Sequence, residues 1–151
     1  MKLTEEIIKK ISITKQEPEW MLDFRLKAFK NFEKIPNPNF GPKLNINYNK
    51  INYYKEREDN LTDNWDISSS KVRNTFNDLG LVKASKEYLD GTSCQYDSEV
   101  VYHSMIKELE EKNIIFLDTD TALKKYPKLF KKYFSTLVAT TENKFTALNG
   151  A

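Results

Sequence analysis

The sharpest chemical pattern in the sequence is Ile114 to Leu123, IIFLDTDTAL, where an apolar run leads into Asp118-x-Asp120. Two carboxylates at this spacing, presented at the end of a buried strand, suit phosphoryl transfer. A carboxylate can act as a nucleophile, move a proton or help to hold Mg²⁺. Such a pair needs a parallel sheet to bring further groups to it, and neither the residues before Ile114 nor the few after Leu123 read as one. The same two carboxylates also serve as a helix N-cap and a first-turn charge, and that role suits the surrounding pattern better.

Next comes Lys124 to Lys132, five lysines in nine residues with aromatics between them. Phosphate neutralisation plus base stacking would make this a nucleic-acid patch. Phe130 and Phe134, however, stand four apart and share one helical face with the lysines opposite, the signature of an amphipathic surface helix. Cys94 and His103 are the only residues of their kinds. A lone thiol excludes an intrachain disulfide and a Cys-based zinc site within one chain. Cys94 would be reactive only at the N-terminus of a following helix, where the dipole lowers its pKa. A buried Cys and a hydrogen-bonded His are the simpler expectation. No Gly-rich phosphate loop, nucleophile elbow or zincin motif is present.

These residues must be held by a chain of 151 residues, a length that argues for one domain spanning 1–151. A net charge of +2 with only three Arg among 24 cations does not mark a nucleic-acid partner. Aromatics at 13% argue against disorder. No apolar run is long enough to span a membrane. The acidic start Met1-Lys2-Leu3-Thr4-Glu5-Glu6 differs from a signal peptide, so a cytoplasmic chain is expected.

The periodicity predicts a mainly α fold with one or two short strands. Thr4 caps a helix carrying Ile7, Ile8 and Ile11. Pro18 opens a stronger one, closed before Pro36, whose apolar stripes include Trp20, Phe24, Phe29 and Phe32. So wide an apolar face is expected to dock on a partner. Residues 39–66 sustain no helical period and are expected to form an irregular or mobile connection, with Ile51 to Tyr54 a short strand or an extended clip. Ser70 caps a helix that stops at Gly80, and a short helix runs to Leu89 and closes at Gly91. A helix is expected from Asp97 or Ser98 through Val101, Met105 and Leu109. Ile114 to Leu117 then reads as a buried strand, followed by helices before and after Pro127. Asn143 to Ala151 reads as a helix cut short, leaving Phe145 and Leu148 without a continuation.

Four strings carry a resemblance: Glu17 to Phe29 (EPEWMLDFRLKAF), Gln95 to His103 (QYDSEVVYH), Ile115 to Thr136 (IFLDTDTALKKYPKLFKKYFST) and Asn143 to Asn149 (NKFTALN). In that order they resemble the amino-terminal part of the SufB family, the scaffold of the Suf iron–sulfur cluster assembly machinery. The likeness is weakest between Asn39 and Asp63, and Leu81 to Ser85 depart from the family's usual proline and acidic residues. The Asp118 stretch alone also resembles the first motif of haloacid dehalogenase phosphotransferases, with Ala122 in place of their Thr or Val; that resemblance implies Asp118 attacking phosphorus, Asp120 as acid/base and Mg²⁺ screening the phosphate. The SufB resemblance accounts for that stretch without phosphatase chemistry.

What the SufB resemblance implies is an accessory, non-catalytic interaction domain. Its partners would be the rest of the scaffold, the ATPase SufC, the paralogue SufD, and a sulfur donor of SufE or SufU type, with no nucleic acid and no membrane. The family's β-helix core and carboxy-terminal region would lie beyond this segment, which fits an excised domain and a truncated product equally. Its cluster and the ATP used through SufC would therefore not be held here. No cluster ligand or catalytic residue carries over, and Cys94 stands where the family has a small residue. The resemblance leaves Trp20, Phe24, Phe29 and Phe32 as the expected docking residues.

Overall fold

The computed structural model describes residues 2–55, 70–79, 91–96, 99–105 and 107–151. In chain order its elements are α1 (Glu5–Lys15), α2 (Glu19–Lys34), a single 3₁₀ turn (Tyr48–Lys50), α3 (Ser70–Asp78), β1 (Gly91–Tyr96), β2 (Glu99–Met105), α4 (Lys107–Glu111), α5 (Thr119–Lys125), α6 (Pro127–Tyr133) and α7 (Lys144–Gly150). The fold is mainly α, as the periodicity predicts. Length alone argued for one domain, whereas the packing gathers the chain into two units: Met1–Tyr53 with Leu123–Ala151, and Tyr54–Ala122.

In the first unit, α1 starts where the Thr4 hydroxyl accepts from the Ile7 amide at 3.3 Å, and it ends at Gln16 in the left-handed region. Pro18 is the cap of α2 rather than its first residue, one position from the expectation. α2 packs against both α1 and α7. Leu3, Ile8, Phe29, Phe32 and Ala147 form the core between them. Burying side chains of this size contributes on the order of 1.5–3 kcal/mol each.

The last carbonyls of α2 have an unusual partner. Lys144, the first residue of α7, donates its ammonium to the carbonyl oxygens of Phe32 at 2.7 Å and Ile35 at 3.0 Å. A cation at a helix C-terminus meets both orphan acceptors and the negative end of the dipole. The same ammonium lies 4.5 Å from the centroid of the Phe32 ring. α7 is set in place by a capping box: Asn143 accepts from Phe145 and Thr146, and the Asn143 amide donates to the Thr146 hydroxyl. α7 is therefore no dangling fragment. Leu148 packs on the core.

Residues 39–55 contain no helix beyond the 3₁₀ turn and no strand, so Ile51 to Tyr54 is an extended clip. The clip is pinned. Tyr48 meets the Phe32 ring edge-on at 5.3 Å, and the Tyr53 hydroxyl donates to the Tyr48 carbonyl at 2.7 Å. Burial, then the nearby Tyr48, raises the Tyr53 phenol above its ordinary pKa. The remainder of 39–66 lies outside the described residues.

The second unit departs most from the sequence reading. β1 and β2 pair antiparallel from Gly91↔Met105 to Tyr96↔Glu99, with a bulge at Cys94/Gln95. The helix expected through Val101 and Met105 is thus strand β2, and helix α4 begins only at Lys107. A spacing of four fits the helical period but is also a multiple of the strand period, so the Val101–Met105 spacing alone does not choose between them. The strand expected at Ile114 to Leu117 is absent, and Ile114, Ile115 and Phe116 are exposed. Asn113, at φ 59, ends α4 instead, as the Ile114 amide donates back to Leu109. The expected stop at Gly80 and the helix to Leu89 lie outside the described residues.

Candidate functional site

Asp118 acts as the N-cap of α5. Its Oδ1 accepts from the Thr121 amide at 2.9 Å, and its carbonyl accepts from the Ala122 amide. Asp120 follows in the first turn. This pair thus does local structural work at a helix start. Cys94 and His103 fall on adjacent strands but are not register partners, since the backbone pairs Cys94 with Tyr102 and His103 with Ser93. Among the described residues, no three His, Cys, Asp or Glu side chains come together as a metal site.

Of the four aromatic residues expected to dock, Phe29 and Phe32 are only 6% and 8% exposed. They are spent on the unit's own core, where Leu3, Ile8 and Ala147 cover them. Trp20 and Phe24 remain half-buried one face away. There α6 lies against them. Phe134 sits 5.0 Å from Phe24 and 6.4 Å from Trp20, both edge-on, and Phe130 stacks on Phe134 at 4.8 Å. Edge and offset contacts of this kind stabilise beyond the area they bury, by about 0.5–1.5 kcal/mol a pair. The inward rings of α6 are thus engaged, and its lysines, with Lys124 and Lys125 before them, are exposed. This is the amphipathic helix the spacing predicts.

Beyond this cluster the surface opens into a groove of about 620 Å³, lined by Phe24, Phe40, Tyr133, Phe134, Leu137 and Phe145 together with Asn149 and Gly150 at the end of α7. The turn after α6 builds one wall. Ser135, at φ 55, donates its hydroxyl to the Val138 carbonyl at 3.0 Å, and the Thr136 hydroxyl donates to the Tyr133 carbonyl at 2.9 Å. With its polar groups satisfied locally, the turn projects Leu137, 97% exposed, and Val138 outward. The sequence reading missed this wall. Its only signal was an apolar Leu-Val pair set among Ser and Thr outside any helical period.

A protein of Staphylococcus haemolyticus described as an iron–sulfur cluster assembly SufBD family protein is 51% identical to this chain over 150 residues. Proteins of the same description from Staphylococcus aureus (strain USA300) and Staphylococcus saprophyticus are 51% and 50% identical. Each match covers 99% of this chain. The chain is a SufBD-type segment. It spans 32% of the length of these relatives. No family model and no solved structure matches it. Three of the four strings behind the sequence resemblance map onto the groove's frame: Glu17 to Phe29 supplies most of α2, Ile115 to Thr136 supplies α6, and Asn143 to Asn149 supplies most of α7, whereas Gln95 to His103 falls in the β1–β2 hairpin. In the SufBD-type segment, then, the matched residues build a helical platform and its open aromatic groove.

Proposed function

We propose that this SufBD-type segment is the amino-terminal interaction region of a SufB scaffold for iron–sulfur cluster assembly and performs no catalysis itself. The observation that carries the reading is the 51% identity over 99% of the chain. The placement of its polar groups supports it: Asp118 caps α5, Lys144 caps α2, and Arg25 holds Glu17. Each is committed to the fold rather than aimed at a substrate.

The region would work in the cytoplasm by contact. Its partners are the rest of the scaffold, SufC with its ATP, SufD and a sulfur donor of SufE or SufU type. The cluster is the assembly's product and is carried by other parts of it. Among the described residues, no helix is long and apolar enough to cross a membrane.

A graft tests the reading. In Staphylococcus aureus depleted of its SufBD relative, that relative is resupplied with this chain in place of the matching segment. Restored activity of a cluster-dependent enzyme is the expected result, and a stably produced graft without that activity contradicts it. Anaerobic reconstitution of the isolated chain provides a second readout. A stable visible cluster band from a monomer would refute the reading that the cluster is carried by other parts of the assembly.

A further inference from the structure

The groove differs from the buried aromatic face in remaining open, and three observations define what fits it. First, its apolar surface continues along α6: Tyr126, Leu129 and Tyr133 lie at i, i+3 and i+7, all exposed, and lead into Leu137 and Val138. Exposed apolar surface that is continuous over a helix and a turn marks an interaction site rather than scattered residues.

Second, the α6 side of the groove is basic, while Asp23 and Glu142, each next in sequence to a lining residue, are exposed carboxylates. Between Thr121 and Thr141 the chain has five lysines and no carboxylate. Lys124, Lys125, Lys128, Lys131 and Lys132 are exposed. Two of them also lie over rings, Lys131 5.4 Å from the centroid of Trp20 and Lys132 4.9 Å from that of Tyr133. Because Tyr133 lines the groove, the Lys132 ammonium stands at its rim. Third, the wall is preorganised by the Ser135 and Thr136 hydrogen bonds, so docking requires little ordering of the turn.

We propose that this groove binds an acidic amphipathic helix of another protein, its apolar face laid over Leu137, Tyr133 and Phe40 and its carboxylates reaching the α6 lysines. The proposal rests on the interaction reading above and names the chemistry of the partner. Helix-in-groove recognition takes anchors at i, i+3, i+4 and i+7, which match an apolar groove flanked by charge. Two other occupants fit less well. A second copy docking face to face would set its own α6 lysines against these, and like charges repel across such a contact. A nucleic acid is less favoured because every cation of this stretch is a lysine, whereas base-edge and phosphate recognition favour arginine.

The test is fluorescence anisotropy of the full chain with a labelled amphipathic peptide of roughly fifteen residues, leucines on one face and glutamates on the other. A control peptide has lysines in place of the glutamates. The glutamate peptide is expected to bind, more weakly as salt rises, and the lysine peptide is not. Lys132→Glu should weaken binding roughly tenfold and Leu137→Asp should abolish it. Both side chains lie at the surface, so unchanged melting curves confirm that the fold persists. Equal binding of both peptides, or indifference to Leu137→Asp, overturns the proposal. So does a concentration-dependent dimer abolished by Leu137→Asp, which would make a second copy the occupant. A functional graft whose groove binds no acidic peptide rejects this inference and leaves the interaction reading standing.

Discussion

Arg25 grips Glu17 through two contacts, Nε to Oε2 at 2.8 Å and Nη2 to Oε1 at 2.6 Å, with the Glu17 side chain only 3% exposed. The third arm of the guanidinium donates to the Ala151 carbonyl at 3.2 Å. One side chain of α2 therefore ties the residue before the Pro18 cap to the end of α7. The planar fork makes this possible, since an ammonium cannot hold a carboxylate at two points and reach a carbonyl as well.

Arg25→Ala should cost about 3–5 kcal/mol, because it leaves a nearly buried carboxylate without its cation. Glu17→Gln should cost less, since the more exposed guanidinium can turn towards water. Arg25→Lys should fall between wild type and Arg25→Ala. Urea unfolding of the three variants checks the order.

Lys144→Met keeps the aliphatic stem over Phe32 but removes the donor to the Phe32 and Ile35 carbonyls. A loss of about 1–2 kcal/mol is expected. Hydrogen exchange should localise it, with faster exchange in the last turn of α2.

Gly150 lies so close to α2 that a Cβ on it would stand 3.0 Å from the Ala28 Cβ and 2.8 Å from Thr140 Cγ2. Thr140 cannot turn away without losing the Asn31 side-chain hydrogen bond to its hydroxyl. Gly150→Val should therefore destabilise by about 1–3 kcal/mol through overpacking, measured by thermal melting.

The Tyr53 phenol has a raised pKa in the folded chain. The sign follows directly. As pH rises past the ordinary tyrosine value, the unfolded chain releases the proton first, so its contribution to stability is present below that pH and declines towards the folded pKa. Wild type and Tyr53→Phe should show a stability difference that is constant at neutral pH and shrinks under alkaline conditions. A constant difference up to strongly alkaline pH would contradict the assignment.

The sequence announced the helices with the clearest local signals. Thr4 before two glutamates, Pro18 before an apolar stripe, and Pro127 between two short helices are decided within a few residues. Ser70 is the first residue of α3 rather than its cap, a shift of one. The hairpin was misread because Val101 and Met105 satisfy two periods at once, and only the pairing with residues 91–96 decides between them. Periodicity also exposed the wide face of α2 without saying what covers it. For Phe29 and Phe32 the cover comes from Leu3, Ile8 and Ala147, all of them distant in sequence from both. The groove was invisible for the same reason. Its walls, Phe24 and Leu137, are distant along the chain, and its shape depends on a turn stabilised by Ser135 in the left-handed region.

The account's central claim is that this segment acts through contact and not through its carboxylates. Two variants of the graft measure it most directly. Asp118→Asn preserves a good N-cap while removing the charge a nucleophile needs, and Leu137→Asp leaves every buried residue in place while charging the groove. Activity of a cluster-dependent enzyme in the grafted cells should survive the first substitution and fall with the second. Loss with Asp118→Asn and survival with Leu137→Asp would contradict the account.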